Sequence, residues 1–177
     1  FPDFLKALPE LLNQIPNLKV LIGGRNRSAY GPACPTHDGS WKEMMLDQLP
    51  ELRNHPNIIY TGLMNYSNYL LMLQRTNAHC YLTKPYVTSW SLFEAAACGT
   101  PIITNRSKAS TEIIPFDDSN IIENIEDFSM PETLEKIKIM LASNNKYERK
   151  SILPLEYDIE TAKKSWQRLI NQALEIL

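Results

Sequence analysis

The feature that most constrains the fold is the regular alternation of short apolar runs with amphipathic helical patterns. Residues 18–22 and 57–60 are typical of buried strands, and a polar stretch and a helix-like repeat of apolar positions follow each of them. Residues 78–82, 101–104 and 120–122 continue the series. Strands that alternate with helices of this length form βαβ units with right-handed crossovers. The order therefore predicts an α/β fold, with a Rossmann-like parallel sheet flanked by helices.

The helical patterns have recognisable boundaries. Pro9 lies inside the first pattern and predicts a kink or a local break there. Ser40 is expected to cap the helix that begins at Trp41, and Gly99 is the residue type that commonly follows a helix C-terminus. The helical patterns cover residues 3–14, 41–49, 66–74, 90–98, 132–141 and 157–177.

Composition excludes several classes of protein. The chain has 177 residues, of which 44% are hydrophobic and 21% charged, so a single domain with a real core is expected rather than a disordered segment. The formal net charge is −2, which argues against a general nucleic-acid-binding protein. No apolar run approaches the roughly 20 residues that a membrane span needs. A soluble, cytoplasmic domain is the expectation.

The cysteines and histidines predict no metal site. Cys34, Cys80 and Cys98 form neither a disulfide framework nor a zinc-binding spacing, and they are expected to be free thiols in a reducing compartment. His79 lies inside a strand and is interpreted as a core residue rather than a general base.

The N-terminus suggests a fragment. Phe1 stands directly at the start of a helical pattern, with no strand before it. We therefore expect residues 1–177 to be a single domain from a longer two-domain protein.

Ligands of a doubly wound sheet bind beyond the carboxyl ends of its strands. In this chain, that rule selects the loops at residues 23–40, 61–65, 83–89 and 105–110.

Residues 83–105 contain the main candidates for ligand binding. Thr88, Ser89 and Ser91 precede or open a helix, whose N-terminal amides and dipole favour a phosphate group. Glu94, expected in the first helical turn, could accept hydrogen bonds from a vicinal diol such as that of ribose. The alternative is purely structural, because Ser91 and Glu94 have the spacing of a capping box, which needs no ligand.

A family resemblance favours the ligand-binding role of Glu94 over the structural one. Residues 94–103, EAAACGTPII, resemble the "E-A-(M/A)-A-x-G-x-P-(I/V)-(I/V)" signature of GT-B glycosyltransferases, in particular the large retaining family called group 1 or family 4. Residues 57–64, 69–82 and 111–114 are similar to flanking segments of that family in the same order.

The resemblance implies that this is the C-terminal domain, which binds a nucleotide-sugar donor as substrate without a cofactor, while a missing N-terminal domain receives the acceptor. By position, Glu94 resembles the second glutamate of the family's E-x7-E pair, which holds the ribose hydroxyls. The segment facing the diphosphate and the sugar would be Ser89, Trp90, Ser91 and Leu92, and the loop from Gly62 to Met64 would lie against the base.

Two departures from the family pattern bear on activity. Tyr86 stands where the first glutamate of E-x7-E is expected, so a carboxylate that would grip the transferred sugar is replaced by a phenol. The Arg and Lys that the family places ahead of its first helix would precede Phe1. Arg25 and Arg27 follow a strand and could reach phosphate instead, although solvated loop cations are the more ordinary interpretation.

The sequence thus predicts the donor-binding half of a glycosyltransferase that uses a UDP- or GDP-sugar, catalytically inactive on its own. A non-catalytic nucleotide-binding or interaction module is the main alternative. A GT-B sugar-nucleotide epimerase is a third, although further catalytic carboxylates and histidines would be expected for it.

Overall fold

The computed structural model describes residues 1–28, 31–83, 88–124, 131–143, 149–154 and 157–174. The helices are α1 Pro2–Gln14, α2 Trp41–Gln48, α3 Tyr66–Arg75, α4 Trp90–Ala97, α5 Lys108–Thr111, α6 Pro131–Ser143 and α7 Ile159–Leu174. The strands are β1 Val20–Gly23, β2 Ile58–Gly62, β3 His79–Tyr81, β4 Ile102–Asn105 and β5 Ile121–Ile122.

All strand pairs are parallel, as the alternation predicts. They form two ladders, β1–β2 and β3–β4–β5. Val20 pairs with Ile58 in the first ladder, and His79 pairs with Ile102 in the second. The Rossmann-like α/β plan is confirmed, with the hydrogen bonding of the described strands divided between two sheets.

Helices cover both faces of the second ladder. Successive side chains of a strand point to opposite faces. Ile102 accordingly packs in a cluster with Leu73 of α3 and Leu92 of α4. Ile103 packs in the larger cluster that contains the apolar stripe of α1 and residues of α2, β1, β2 and α6. This shared core holds both ladders against common helices.

Among the differences from the prediction, two concern the interior of α1 and the end of β2. Helix α1 runs continuously through Pro9, because its buried stripe, which includes Leu5, Leu8 and Leu11, anchors both halves of the helix. Strand β2 extends to Gly62, which pairs with Gly23 after a register shift. Gly62, predicted to be loop, therefore ends a strand.

Candidate functional site

A cleft of about 1480 Å³ opens at the carboxyl ends of the first three strands. Its walls include Gly24 after β1, Gly62 at the end of β2, Thr83 after β3, and Ser89 immediately before α4. Three of the four loops selected from the sequence therefore meet at one cleft.

The fourth loop supports the third instead of lining the cleft. Asn105, at the end of β4, accepts a hydrogen bond from the Thr83 amide through Oδ1 at 2.9 Å and donates one from Nδ2 to the Thr83 carbonyl at 2.9 Å. The Thr88 hydroxyl donates to the carbonyl of Ala109. These bonds hold the two described ends of the loop after β3, at Thr83 and Thr88, against the end of β4 and against α5.

Positive charge dominates the cleft. Among the described lining residues, Arg25, Arg27 and Lys42 are cationic and Asp3 is acidic. Lys42 Nζ lies 4.2 Å from the centroid of the Tyr60 ring and 3.8 Å from Glu43 Oε1. Such a surface attracts an anionic ligand.

The position of Lys42 depends on a helix cap. Ser40 Oγ accepts a hydrogen bond from the Glu43 amide at 3.0 Å, which confirms the predicted cap of α2, and Ser40 itself donates to Asn26 Oδ1 at 2.6 Å. Because Asn26 lies between Arg25 and Arg27, this bond connects the first turn of α2 to the arginine-bearing loop.

The start of α4 differs from the capping box considered from the sequence. Ser89 is the N-cap, and its hydroxyl accepts from the Ser91 amide at 3.3 Å. Ser91 and Glu94 consequently lie inside the helix, and Glu94 falls in its second turn rather than its first. The structural explanation of Glu94 as a capping residue is therefore wrong.

The backbone near this helix start is largely engaged within the protein. The Ser89 amide donates to the Tyr81 hydroxyl at 2.9 Å, and the Leu92 amide donates to the Ser89 carbonyl at 3.1 Å. The Ser91 amide is also paired. A diphosphate could therefore bind the amides of Ser89, Ser91 and Leu92 only by replacing these hydrogen bonds. The side-chain cations thus carry more of the anion-binding capacity than the sequence suggested.

Individual residues of this segment have different environments. Leu92 is completely buried in the core, and its amide is paired with the Ser89 carbonyl, so neither its side chain nor its backbone faces the cleft. Trp90 is 81% exposed and lines the cleft together with Ser89, whereas Ser91 does not line it. Tyr86 lies outside the described residues.

Glu94 projects toward α3. A hydrogen bond with Glu94 raises the pKa of the Tyr66 hydroxyl, and burial together with the nearby Glu94 charge raises the pKa of Tyr69. Burial and the same charge also raise the pKa of the Cys98 thiol. Glu94 is partly buried and is not among the residues that line the cleft. The carboxylate lies beside the cleft, between α3 and α4.

The loop after β2 packs back on the end of β1. The Gly62 carbonyl accepts from the Gly24 amide at 2.9 Å. Met64 does not line the cleft, and its methyl carbon is 3.1 Å from the position that a Cβ on Gly23 would occupy. A glycine at position 23 thus allows Met64 to cover the strand end.

Sequence reasoning missed the roles of five residues in three parts of the chain. Trp41 and Lys42 line the cleft, although their sequence indicated only a capped helix start. Asn105 is the last residue of the buried strand β4, and a polar residue at a strand end was the available signal for its role. Tyr66 and Tyr69 are separated by three positions on α3, which was the only indication that they could share one partner.

Two other kinds of site are absent from the part of the chain that the structure describes. The described residues contain no cluster of His, Cys, Asp and Glu that could hold a metal ion. None of the described helices combines the length and the apolar character needed to traverse a bilayer.

Comparison with known proteins addresses the family directly. No curated protein matches the chain. A family model described as "Glycosyl transferases group 1" matches residues 1–151, which include every strand and the helices α1 to α6. The chain belongs to the group 1 glycosyltransferases.

Proposed function

We propose that this chain is the donor-binding domain of a retaining, family 4 transferase of the GT-B type, and that it binds a UDP- or GDP-sugar. The observation that carries the proposal is the cationic cleft at the carboxyl ends of β1, β2 and β3, in a chain that belongs to the group 1 family. Acceptor binding and sugar transfer would require a second domain in the full-length protein, and this domain alone would be inactive.

The diphosphate of the donor is proposed to lie between Arg25, Arg27 and Lys42 on one side and the N-terminus of α4 on the other. Guanidinium and ammonium groups form charge-assisted hydrogen bonds with phosphate oxygens, and these are stronger than neutral ones. Positive charge beside a departing nucleoside diphosphate also stabilises the charge that develops during transfer. No cofactor is needed for that role.

Glu94 is proposed to hold the ribose. Its position in the second turn of α4 leaves the helix cap to Ser89, so the carboxylate is not required for capping. The hydrogen bond with Tyr66, which is 61% exposed, engages part of the carboxylate. A second carboxylate lone pair remains to accept a hydrogen bond from a ribose hydroxyl.

The base is proposed to lie near Gly62, where main-chain groups of the loop after β2 are accessible from the cleft. Gly62 has a φ of +64° and lines the cleft. Met64 would contribute by holding this loop against Gly23.

A cytoplasmic location is part of the proposal. Cys34, Cys80 and Cys98 are all free thiols in the structure. Free thiols are the usual state of cysteine in a reducing compartment.

Nucleotide binding without transfer is the second candidate function. The observation that favours it is Tyr86, which replaces the first glutamate of the family's E-x7-E pair. In that case the cleft would bind a nucleotide, but the full-length protein would not release sugar from any donor.

A thermal-shift series tests the proposal. The domain is mixed with UDP, GDP and ADP and with sugar derivatives of each, because a ligand that binds the native state raises Tm. We expect a concentration-dependent rise with uridine or guanosine diphosphates. The Arg25→Ala/Arg27→Ala variant should lose it, whereas Lys164→Ala, on α7 outside the cleft, should retain it. A flat response of the unmodified domain to every nucleotide would contradict the proposal.

A further inference from the structure

Trp90 is the side chain that the proposed function leaves unexplained. It lines the cleft while 81% of its surface remains exposed. Trp41 lines the same cleft but is half-buried, and its Nε1 donates to the Pro32 carbonyl at 3.1 Å. Indole has a large apolar surface whose burial is favourable. An exposed indole inside a concave site therefore offers a binding surface to a ligand.

Aromatic contacts with neighbouring rings support the Trp90 side chain. Its ring centroid is 6.3 Å from that of Phe93, with the planes tilted by 54°. Phe93 in turn contacts Tyr157, just ahead of α7, at 5.3 Å and 56°. These tilted contacts have the geometry that aromatic pairs prefer, and they support one side of the indole. The high exposure leaves a ring face available to the cleft.

The position of Trp90 identifies which part of a donor would meet that face. Trp90 and Glu94 are four residues apart on α4, so they lie on the same side of the helix with a rise of about 6 Å between them. Ribose at Glu94 and a diphosphate at the cleft cations would place the next group of the donor, the transferred sugar, near the first turn of α4. Trp90 occupies that turn.

The surrounding polar groups fit a sugar. Asp3, Asn26 and Ser89 line the same cleft and can hydrogen-bond to hydroxyl groups. A pyranose combines an apolar face of C–H groups with a rim of hydroxyls. An open aromatic face in a cleft that also contains polar side chains matches both features.

We propose that the Trp90 indole is the stacking platform for the pyranose ring of the donor, and that it sets how much the sugar adds to donor affinity. The proposal rests on the proposed donor-binding function. It also gives Trp90 a role in sugar binding in a chain that has Tyr86 in place of the first glutamate of the family's E-x7-E pair.

Calorimetric titration of UDP, UDP-glucose, GDP and GDP-mannose tests the proposal. The proteins are the unmodified chain, Trp90→Ala, Trp90→Phe and the control Trp166→Ala, which removes an indole that is 67% exposed on α7. Trp90→Ala should weaken binding of the preferred nucleotide sugar by roughly 3- to 10-fold and leave the free nucleotide unchanged. Trp90→Phe should retain most of the affinity, and Trp166→Ala all of it. Equal Tm values would show that the variants fold.

The other outcomes overturn the assignment in distinguishable ways. Equal weakening of UDP and UDP-glucose by Trp90→Ala would show that the indole stacks on the base. A nucleotide sugar that binds no better than its nucleotide, or an unaffected Trp90→Ala variant, would leave donor binding intact and refute only the stacking role. If the unmodified chain binds none of the four ligands, the proposed function fails and the role of Trp90 fails with it.

Discussion

The side-chain amide of Asn105 pairs with both backbone groups of Thr83, at 2.9 Å for each hydrogen bond. It thereby acts like one more residue of the β3–β4 ladder, continued past the end of β3. The paired segment leads into the residues that precede α4, so the position of the cleft wall depends on a side chain that does not itself line the cleft.

Replacing Asn105 by Ala should lower both stability and ligand affinity. Asn105 is 5% exposed, and its loss leaves two backbone groups of Thr83 without these partners. We expect a loss of about 1–3 kcal/mol in the free energy of unfolding, measured by urea denaturation. Asn105→Asp keeps the acceptor but buries a carboxylate whose second oxygen faces the Thr83 carbonyl oxygen, so it should cost at least as much as Ala at neutral pH. Equal stability of all three proteins would disprove the pairing role.

Glu94→Gln should weaken nucleotide binding. If the carboxylate makes a charge-assisted bond to ribose, its loss costs about 1–3 kcal/mol of binding free energy in calorimetry. The control is Glu51→Gln, at an exposed site distant from α4 in sequence.

The same variant separates the ligand role from a structural one. Since Glu94 raises the pKa of Tyr66, the Tyr66 hydroxyl should titrate at lower pH in Glu94→Gln, as followed by ultraviolet absorbance or NMR. A shift in this titration with unchanged nucleotide affinity would mean that Glu94 only serves the contact between α3 and α4.

Lys42→Met should reduce nucleotide affinity and its dependence on salt. Lys42 has 28% of its side-chain surface exposed and lies at the cleft, so its charge acts on a bound anion over a short range. We expect a loss of about 1 kcal/mol at low ionic strength that shrinks as salt screens the interaction. Calorimetry at two salt concentrations measures it, with Lys164→Met as the matched control. A salt-independent loss would point to packing against Tyr60 instead of charge.

His79 should make the protein less stable in mild acid. Its Nε2 atom is buried and has no hydrogen-bond partner among the described residues, and burial lowers the pKa of the imidazole to about 4. The unfolded chain binds this proton near pH 6.5, so between pH 6.5 and 4 the unfolded state holds more protons than the native one. Stability therefore falls as pH decreases through that window, by up to about 3 kcal/mol in total.

His79→Leu tests this by denaturation at several pH values. The variant should show a smaller decline between pH 6.5 and 4 than the unmodified protein. Parallel stability profiles of the two proteins would assign the acid sensitivity to other groups.

Gly99→Ala should be strongly destabilising. Gly99 has a φ of +64°, and an added Cβ would lie 2.5 Å from the Lys150 carbonyl oxygen, which is backbone and cannot rotate away. Gly62 has the same φ of +64° with nothing within 4 Å of an added Cβ, so Gly62→Ala is the matched control.

The difference in unfolding free energy between these two variants gives the cost of the contact between the added Cβ at position 99 and the Lys150 carbonyl. Gly62→Ala should cost about 1 kcal/mol of unfolding free energy from the backbone conformation alone. Gly99→Ala should exceed it by a further 1–3 kcal/mol, approximately the cost of overpacking. Equal values would mean that the segment around Lys150 moves aside without loss.

The sequence alone determined the order of elements, because strand and helix periodicities are local properties of adjacent residues. It located β1 to β5 to within a few positions, identified the Ser40 cap, and selected the strand ends as the place for a ligand. The burial of Ile102 in its strand and the cap of α2 follow from patterns of two to four adjacent residues. Such short patterns can be recognised in the sequence without the tertiary structure.

The tertiary structure decided which side chains converge. Lys42 belongs to a helix start that looks ordinary in sequence, and it reaches the cleft only because α2 packs beside β2. Asn105 meets Thr83 across 22 positions of sequence, through the pairing of β3 with β4. Ser89 rather than Ser91 caps α4, and Glu94 is directed at Tyr66 on another helix. These contacts depend on crossovers and packing between distant segments, and no local pattern encodes them.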